Sequence, residues 1–262
     1  MNLKHMEGCG WSEAELFRRP WSLQTQDGAE LEAGDSDFDT RSGERGAWPV
    51  TIWQADSAQG APYSRTEDLA AVYGKLVRRA ERTWIVADAH TYFVVDRIET
   101  EEPARLLSSF RWDNGDGRLN VNVASPVKLV LRRLPEAMKF FLVESCADGR
   151  PDDGGLIREQ PEPGLFVFGS GAFSRSHLSV YAIAADAEEH IRKWHIVDSG
   201  DGGHHVEPPD RAGGFALGWQ TGAGAGREAA GDRLLGRWPR LKLEDRYRGR
   251  GFVLDHDGWR EH

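Results

Sequence analysis

Short apolar runs separated by Gly, Pro, Asn and Asp recur along most of this chain, and within them large hydrophobic side chains alternate with small or polar ones. A period of two is that of a half-buried β-strand, whose successive side chains point to opposite faces. Leu119, Val121 and Val123 alternate with Asn120 and Asn122, and Trp48, Val50 and Ile52 begin a similar run. Residues 83–86 and 91–98 are rich in β-branched and aromatic side chains and flank the polar turn Asp88-Ala89-His90, which predicts a hairpin. Further strands are predicted over 106–112, 127–131, 139–143, 165–168, 178–182, 241–247 and 251–255. Residues 198–203 and 213–236 read as loops, with Gly222 to Gly226 as a flexible turn.

Helical signals are few. Ser12 and Glu15 have capping-box spacing and Pro20 follows, which predicts a short helix over 12–19. Residues 67–80 are ambiguous: Leu69, Val72, Leu76 and Ala80 recur at helical spacing, and local propensity favours a helix, yet the same stretch alternates well enough for a strand. The pattern predicts an all-β protein, an antiparallel β-sandwich of large stacked sheets with at most one or two short helices. An N-terminal extension with the first strands (1–47) precedes the sandwich domain (48–262).

Composition narrows the function. Apolar residues at 39% supply a core, and no apolar run approaches the roughly 20 residues that span a bilayer. With 42 acidic against 33 basic side chains the net charge is −9, and the basic pairs (Arg18-Arg19, Arg78-Arg79, Arg132-Arg133) are short, so neither nucleic acid nor a membrane surface is an expected partner. The first residues lack the basic start and apolar stretch of a secretory signal, which fits a cytoplasmic protein or a fragment. Cys9 and Cys146 read as buried thiols, and no Cys/His spacing resembles a structural zinc site. No cofactor or metal is expected.

From Glu67 onward the order of features is more specific. Glu67-Asp68-Leu69-Ala70-Ala71-Val72-Tyr73 precedes a basic stretch, Lys75 to Arg79. An apolar strand and turn lead to Tyr92-Phe93-Val94-Val95-Asp96-Arg97-Ile98-Glu99, then Pro103 and Leu106-Leu107-Ser108-Ser109-Phe110. This resembles the C-terminal β-sandwich region of heparinase II/III-like polysaccharide lyases, most clearly over 66–112 and diffusely to about 220. The resemblance implies that residues 67–80 are a strand. It also implies β-elimination on uronate-containing glycans, with a base removing the C5 proton and an acid protonating the leaving oxygen. Members generally carry an N-terminal helical toroid, are often periplasmic or secreted, and have a His-x-His-x-Asp-like stretch before this region. This sequence has neither that stretch nor a toroid, so the expected role is one portion of a lyase, incomplete alone or partnered by a helical domain or another chain. A stand-alone carbohydrate-binding or structural sandwich is the alternative.

No catalytic residue is transferred from the resemblance. His90 and Tyr92, at the hairpin turn, are the candidates for base and acid. Ten Trp residues suit sugar stacking, and Trp112 beside Asp113 and Asn114 is the best candidate for binding an acidic oligosaccharide. His204-His205 with Glu207 and Asp210 is the densest set of metal-ligand types, but adjacent histidines in an extended chain face opposite ways, and an exposed loop is expected. Ser170 and Ser176-His177 lack a nucleophile elbow. Arg78, Arg79, Arg82 and Arg97 would make a basic cleft only if a strand did not split them between two faces.

Overall fold

The computed structural model describes residue 9 and residues 21–32, 51–56, 62–198, 203–210, 213–220, 240–255 and 258–261. The helix expected over 12–19, the turn at Gly222 to Gly226 and the side chains of Trp53, Trp219 and Trp238 lie outside the described residues. The strands run in chain order as β1 (Trp21–Thr25), β2 (Glu30–Glu32), β3 (Thr51–Asp56), β4 (Tyr63–Asp68), β5 (Val77–Val86), β6 (Thr91–Arg111), β7 (Asn120–Ser125), β8 (Lys128–Arg133), β9 (Glu136–Ala147), β10 (Arg150–Pro151), β11 (Gly155–Glu159), β12 (Leu165–Gly169), β13 (Ser174–Ala187), β14 (His195–Asp198), β15 (Gly203–Glu207), β16 (Phe215–Gln220), β17 (Arg240–Asp245), β18 (Arg250–Asp255) and β19 (Gly258–Glu261). One short helix, α1 (Glu188–Ile191), follows β13. Every pairing among the described residues is antiparallel, so the protein is an all-β sandwich, as its alternating pattern predicts.

Three layers stack through β6. The first half of β6 pairs with β5 and β13 in the middle layer, ordered β3-β4-β5-β6-β13-β9-β8-β7. Its second half pairs with β1 and β12, which with β2 and β11 form an outer layer. A separate six-stranded sheet, β14 to β19, covers the other face of the middle layer. The expected separate strand over 106–112 is therefore the continuation of β6 past Pro103. Ser174 of β13 pairs with Ala104 and Ser176 with Glu99, so residues 100–103 stand opposite Arg175 alone. This irregularity accommodates a proline that has no N–H to give a ladder, and it lets the strand change layers.

Each interface has its own core. Between the middle and outer layers lie Trp84, Val94, Phe110, Trp112, Phe140, Phe168 and Tyr181, and the rings of Phe110 and Tyr181 meet edge to face at 4.6 Å. Ile85, Phe93, Val95, Val180 and Ala182 of the middle layer pack against Val206, Leu217, Leu243 and Phe252 of the six-stranded sheet. The alternation in residues 91–95 is thus filled on both sides, as in a strand buried on two faces.

A buried ion pair of the middle layer reaches the outer layer through its further hydrogen bonds. Arg82 of β5 and Asp96 of β6 are cross-strand partners, 2% and 0% exposed in their side chains, and the guanidinium donates to both carboxylate oxygens at 2.6 Å. Asp96 also accepts from Ser108 (2.8 Å), Arg82 donates to the Ser109 carbonyl (3.3 Å), and the guanidinium lies 4.4 Å from the Phe110 ring centre. Ser108 and Asp96 are on the same strand, so their contact records how sharply β6 folds back.

The basic residues of this region do not form a cleft. Arg82 faces the outer layer, whereas Arg97, Arg79, Glu81 and Glu99 form ion pairs along the neighbouring registers, and Arg78 binds Glu101. Burial raises the Glu81 carboxyl to about 7 despite Arg79 at 3.4 Å and Arg97 nearby, because Glu81 is only 5% exposed. Residues 67–80 satisfy neither simple expectation. The end of β4 leads into a 3-10 turn (Ala70–Leu76) and then β5, with Asp68 accepting from the Ala70 N–H. The Tyr73 hydroxyl donates to the Trp21 carbonyl, which anchors this turn on the outer layer. Gly74 inside the segment disfavours a sustained α-helix.

Removing one partner of the buried pair leaves an uncompensated charge. Arg82→Met is expected to cost about 3–5 kcal/mol in urea unfolding, and adding Asp96→Leu is expected to recover much of that. An unchanged midpoint for the single variant would contradict this. Glu81 gives a pH signature with a defined sign. Its folded pKa lies above the unfolded value, so the native state holds the extra proton between about pH 4.5 and 7, and stability falls as pH rises through that window. The loss is about 3 kcal/mol and is expected to vanish in Glu81→Gln.

Candidate functional site

The residues singled out in the sequence are mostly built into the scaffold. Trp112 is fully buried, its indole meeting Phe140 and Phe166 edge-on at 5.4 Å, so it offers no face to a sugar. Asp113 accepts from the Gly115 N–H and Asn114 from the Leu119 N–H, so both carboxylate and amide shape the turn between β6 and β7. Tyr92 is also buried, and its hydroxyl donates to the Ala89 carbonyl at 2.5 Å, inside its own hairpin. His90 turns to the end of β13, with Nδ1 2.9 Å from the Ala185 carbonyl and 3.8 Å from Asp186, and its ring 5.7 Å from that of Trp194. His90 and Tyr92 are thus held as parts of a hairpin rather than as an acid–base pair facing a ligand.

The histidine pair departs from the expected exposed loop. Both residues lie in β15, where strand geometry sends them to opposite faces. His204 is 1% exposed and faces the middle layer, its Nε2 3.4 Å from Glu144; this contact holds the Glu144 carboxyl below the usual range. His205 meets Arg246 instead. Among the described residues no group of three or more His, Cys, Asp or Glu side chains converges to hold a metal ion. Cys9 and Cys146 are free thiols, both pushed up to about 12 first by burial, which makes them poor nucleophiles. His177 is buried with Nε2 on the Ala104 and Ser174 carbonyls, and Ser170 bonds the backbone, so neither forms a nucleophile–base pair.

A cavity of about 280 Å³ opens where the β5–β6 turn meets the six-stranded sheet. Ala87 and Asp88 line one side; Phe215, Asp245, Tyr247, Arg248 and Phe252 line the other. The two aspartates play matching local roles. Asp88 Oδ1 accepts from the N–H groups of His90 and Thr91, and Asp245 Oδ1 from those of Tyr247 and Arg248. Each carboxylate closes a tight turn with one oxygen, as Asp commonly does, and the other oxygen takes no part in it.

Tyr247 is the exposed aromatic at this site, 44% accessible. Its ring stands edge-on to Phe215 at 5.6 Å and lies over Gly213, where an added Cβ would come within 2.3 Å of Cδ1. The ring is therefore fixed from behind while part of it faces solvent. Its hydroxyl is pushed up to about 12, by burial and then by Asp88, Asp210 and Asp245. At neutral pH it is protonated and can donate a hydrogen bond, but it does not supply a base. The cavity thus brings together a partly exposed aromatic ring, the half-buried Asp88 carboxylate, the buried Asp245 carboxylate and the exposed Arg248 guanidinium. Sequence reasoning missed it because its residues, Pro62 among them, lie in four separated segments. The one local signal was the polar turn at Asp88.

No protein-family model matches this chain, and no curated protein matches it. Among solved structures it is similar to a heparinase III gene product (8% identity, TM-score 0.41), to the heparan sulfate lyase HepC from Pedobacter heparinus (9%, 0.40) and to another heparinase III (11%, 0.39). The matches cover 81%, 81% and 60% of this chain, and the chain spans only 27%, 27% and 25% of those proteins.

The packing of Tyr247 over Gly213 makes a direct prediction. Gly213→Ala is expected to displace the ring and cost about 1–3 kcal/mol by overpacking. A thermal melt and the near-ultraviolet circular dichroism of the aromatic residues would register both effects, and an unaltered melt and spectrum would show that the ring does not rest there.

Proposed function

We propose that this chain is a β-sandwich portion of a heparinase II/III-like polysaccharide lyase, which binds a uronate-containing glycan and forms one wall of a cleft without completing β-elimination alone. The observation that carries the reading is the fixed, half-exposed Tyr247 ring between Asp88, Asp245 and Arg248. The ordered sequence pattern from Glu67 to Phe110 supplies the family. Elimination needs a base near the C5 proton. The described residues that line the cavity include no histidine, and Tyr247 is held protonated. Those features favour binding over chemistry at this site. The same cavity also suits a stand-alone carbohydrate-binding module, and the two readings divide on whether a helical partner domain restores lyase activity.

The chain is expected to bind alginate, unsulfated chondroitin or heparan while releasing no unsaturated uronate, seen as flat ultraviolet absorbance. Tyr247→Ala is expected to weaken binding about tenfold, the size of a central aromatic contact, without changing the fold. Unchanged affinity in Tyr247→Ala, or no affinity for any polyuronate, would refute the assignment.

A further inference from the structure

His177 is a buried titratable group at the place where β6 changes layers. It is 1% exposed on β13, opposite Ile98 of β6 and Ala147 of β9. Its Nε2 lies 2.8 Å from the Ala104 carbonyl and 3.2 Å from the Ser174 carbonyl. Carbonyl oxygens only accept, so Nε2 carries the hydrogen and donates to both. Nδ1 is then the lone-pair nitrogen, and it is buried with no hydrogen-bond partner among the described residues.

The two carbonyls are those of the crossover itself. Ala104 follows Pro103, stands opposite Ser174 of β13, and is also the residue of β6 that pairs with Thr25 at the end of β1. The imidazole therefore holds β6 to β13 just past the register shift, where residues 100–103 face Arg175 alone.

A second proton on this ring has only Nδ1 to occupy. It creates a charged N–H donor in a buried place that offers no acceptor, which the closed structure disfavours. Burial accordingly lowers the His177 pKa from the ordinary histidine value. Burial outweighs the two carbonyls and the carboxylates of Asp148 and Asp152, all of which favour the charged form. Those carboxylates flank β10 and are bonded to backbone, Asp148 to the Ser176 N–H and Asp152 to those of Gly171 and Ala172. Protonated Nδ1 finds an acceptor once the crossover opens and water reaches the ring.

We infer that His177 is an acid-sensitive latch on the β6 crossover: neutral, it clamps Ala104 to β13, and its protonation releases residues 100–104 and the adjoining end of β1. This goes beyond glycan binding and uses no residue of the Tyr247 cavity. The folded pKa lies below the unfolded one, so the latch is fully effective above about pH 6.5 and weakens as pH falls from there toward the folded value. The sign is opposite to that of Glu81, whose contribution falls as pH rises.

Amide hydrogen exchange of the full chain between about pH 7.5 and 5, corrected for intrinsic rates and read by mass spectrometry, tests this. Exchange over residues 100–106 is expected to quicken by up to about tenfold per pH unit below about pH 6.5. His177→Gln keeps an N–H donor for the two carbonyls but does not titrate, and it is expected to abolish that rise. Should the variant not fold, the ring-nitrogen chemical shifts of His177 in the native chain decide, since its protonation must coincide with the faster exchange. A rise of equal slope in His177→Gln would overturn the latch. So would exchange over residues 100–106 that stays flat in the native chain while His177 takes up its proton.

Discussion

The middle and outer layers meet around one buried ion pair, whose polar contacts set their register. Arg82 and Asp96 face each other across β5 and β6, and the same two side chains reach Ser108, Ser109 and the Phe110 ring in the second half of β6. Two charges in a dry interior are stable only when paired and hydrogen-bonded, so this geometry admits few alternatives. β6 must fold back beyond Glu99, and Trp21 of β1 must come close enough for the guanidinium to lie 5.4 Å from its ring. Tyr181, fully buried beside Asp96, is raised well above the usual tyrosine range, chiefly by desolvation. The middle and outer layers are thus registered against each other by polar contacts and held together by the aromatic cluster around them.

The sequence carried the strands better than their assembly. The hairpin across Asp88-Ala89-His90 and the alternation at Leu119, Val121 and Val123 appear as expected, because both are local effects of turn chemistry and side-chain period. The continuity of β6 was hidden by Pro103, which normally ends a strand and is tolerated here only at a register shift. Phe215–Gln220 reads as part of a glycine-rich loop but is a strand, held by β15 and β17 on its two sides. Burial of His204 and Trp112 was invisible for the same reason. A residue's face in a strand follows from the period, but which face meets another layer follows from the whole topology.

The candidate site shows the same division. Asp88 was visible as a turn residue, whereas Phe215, Asp245 and Tyr247 belong to segments that only stacking of the six-stranded sheet brings beside it. Two turns, each closed by an aspartate, face each other across the cavity, and the Tyr247 ring is fixed between Phe215 and Gly213. Under the proposed function, rigid placement of the ring and these carboxylates would lower the ordering cost of binding a flexible glycan. The described residues that line the cavity include no histidine, and the Tyr247 hydroxyl stays protonated at neutral pH.

The most direct test of this account is a crystal structure of the chain with a uronate oligosaccharide. The account predicts a sugar ring against Tyr247, hydroxyls on Asp88 and Asp245, and the uronate carboxylate toward Arg248. A bound oligosaccharide that leaves this cavity empty would contradict it.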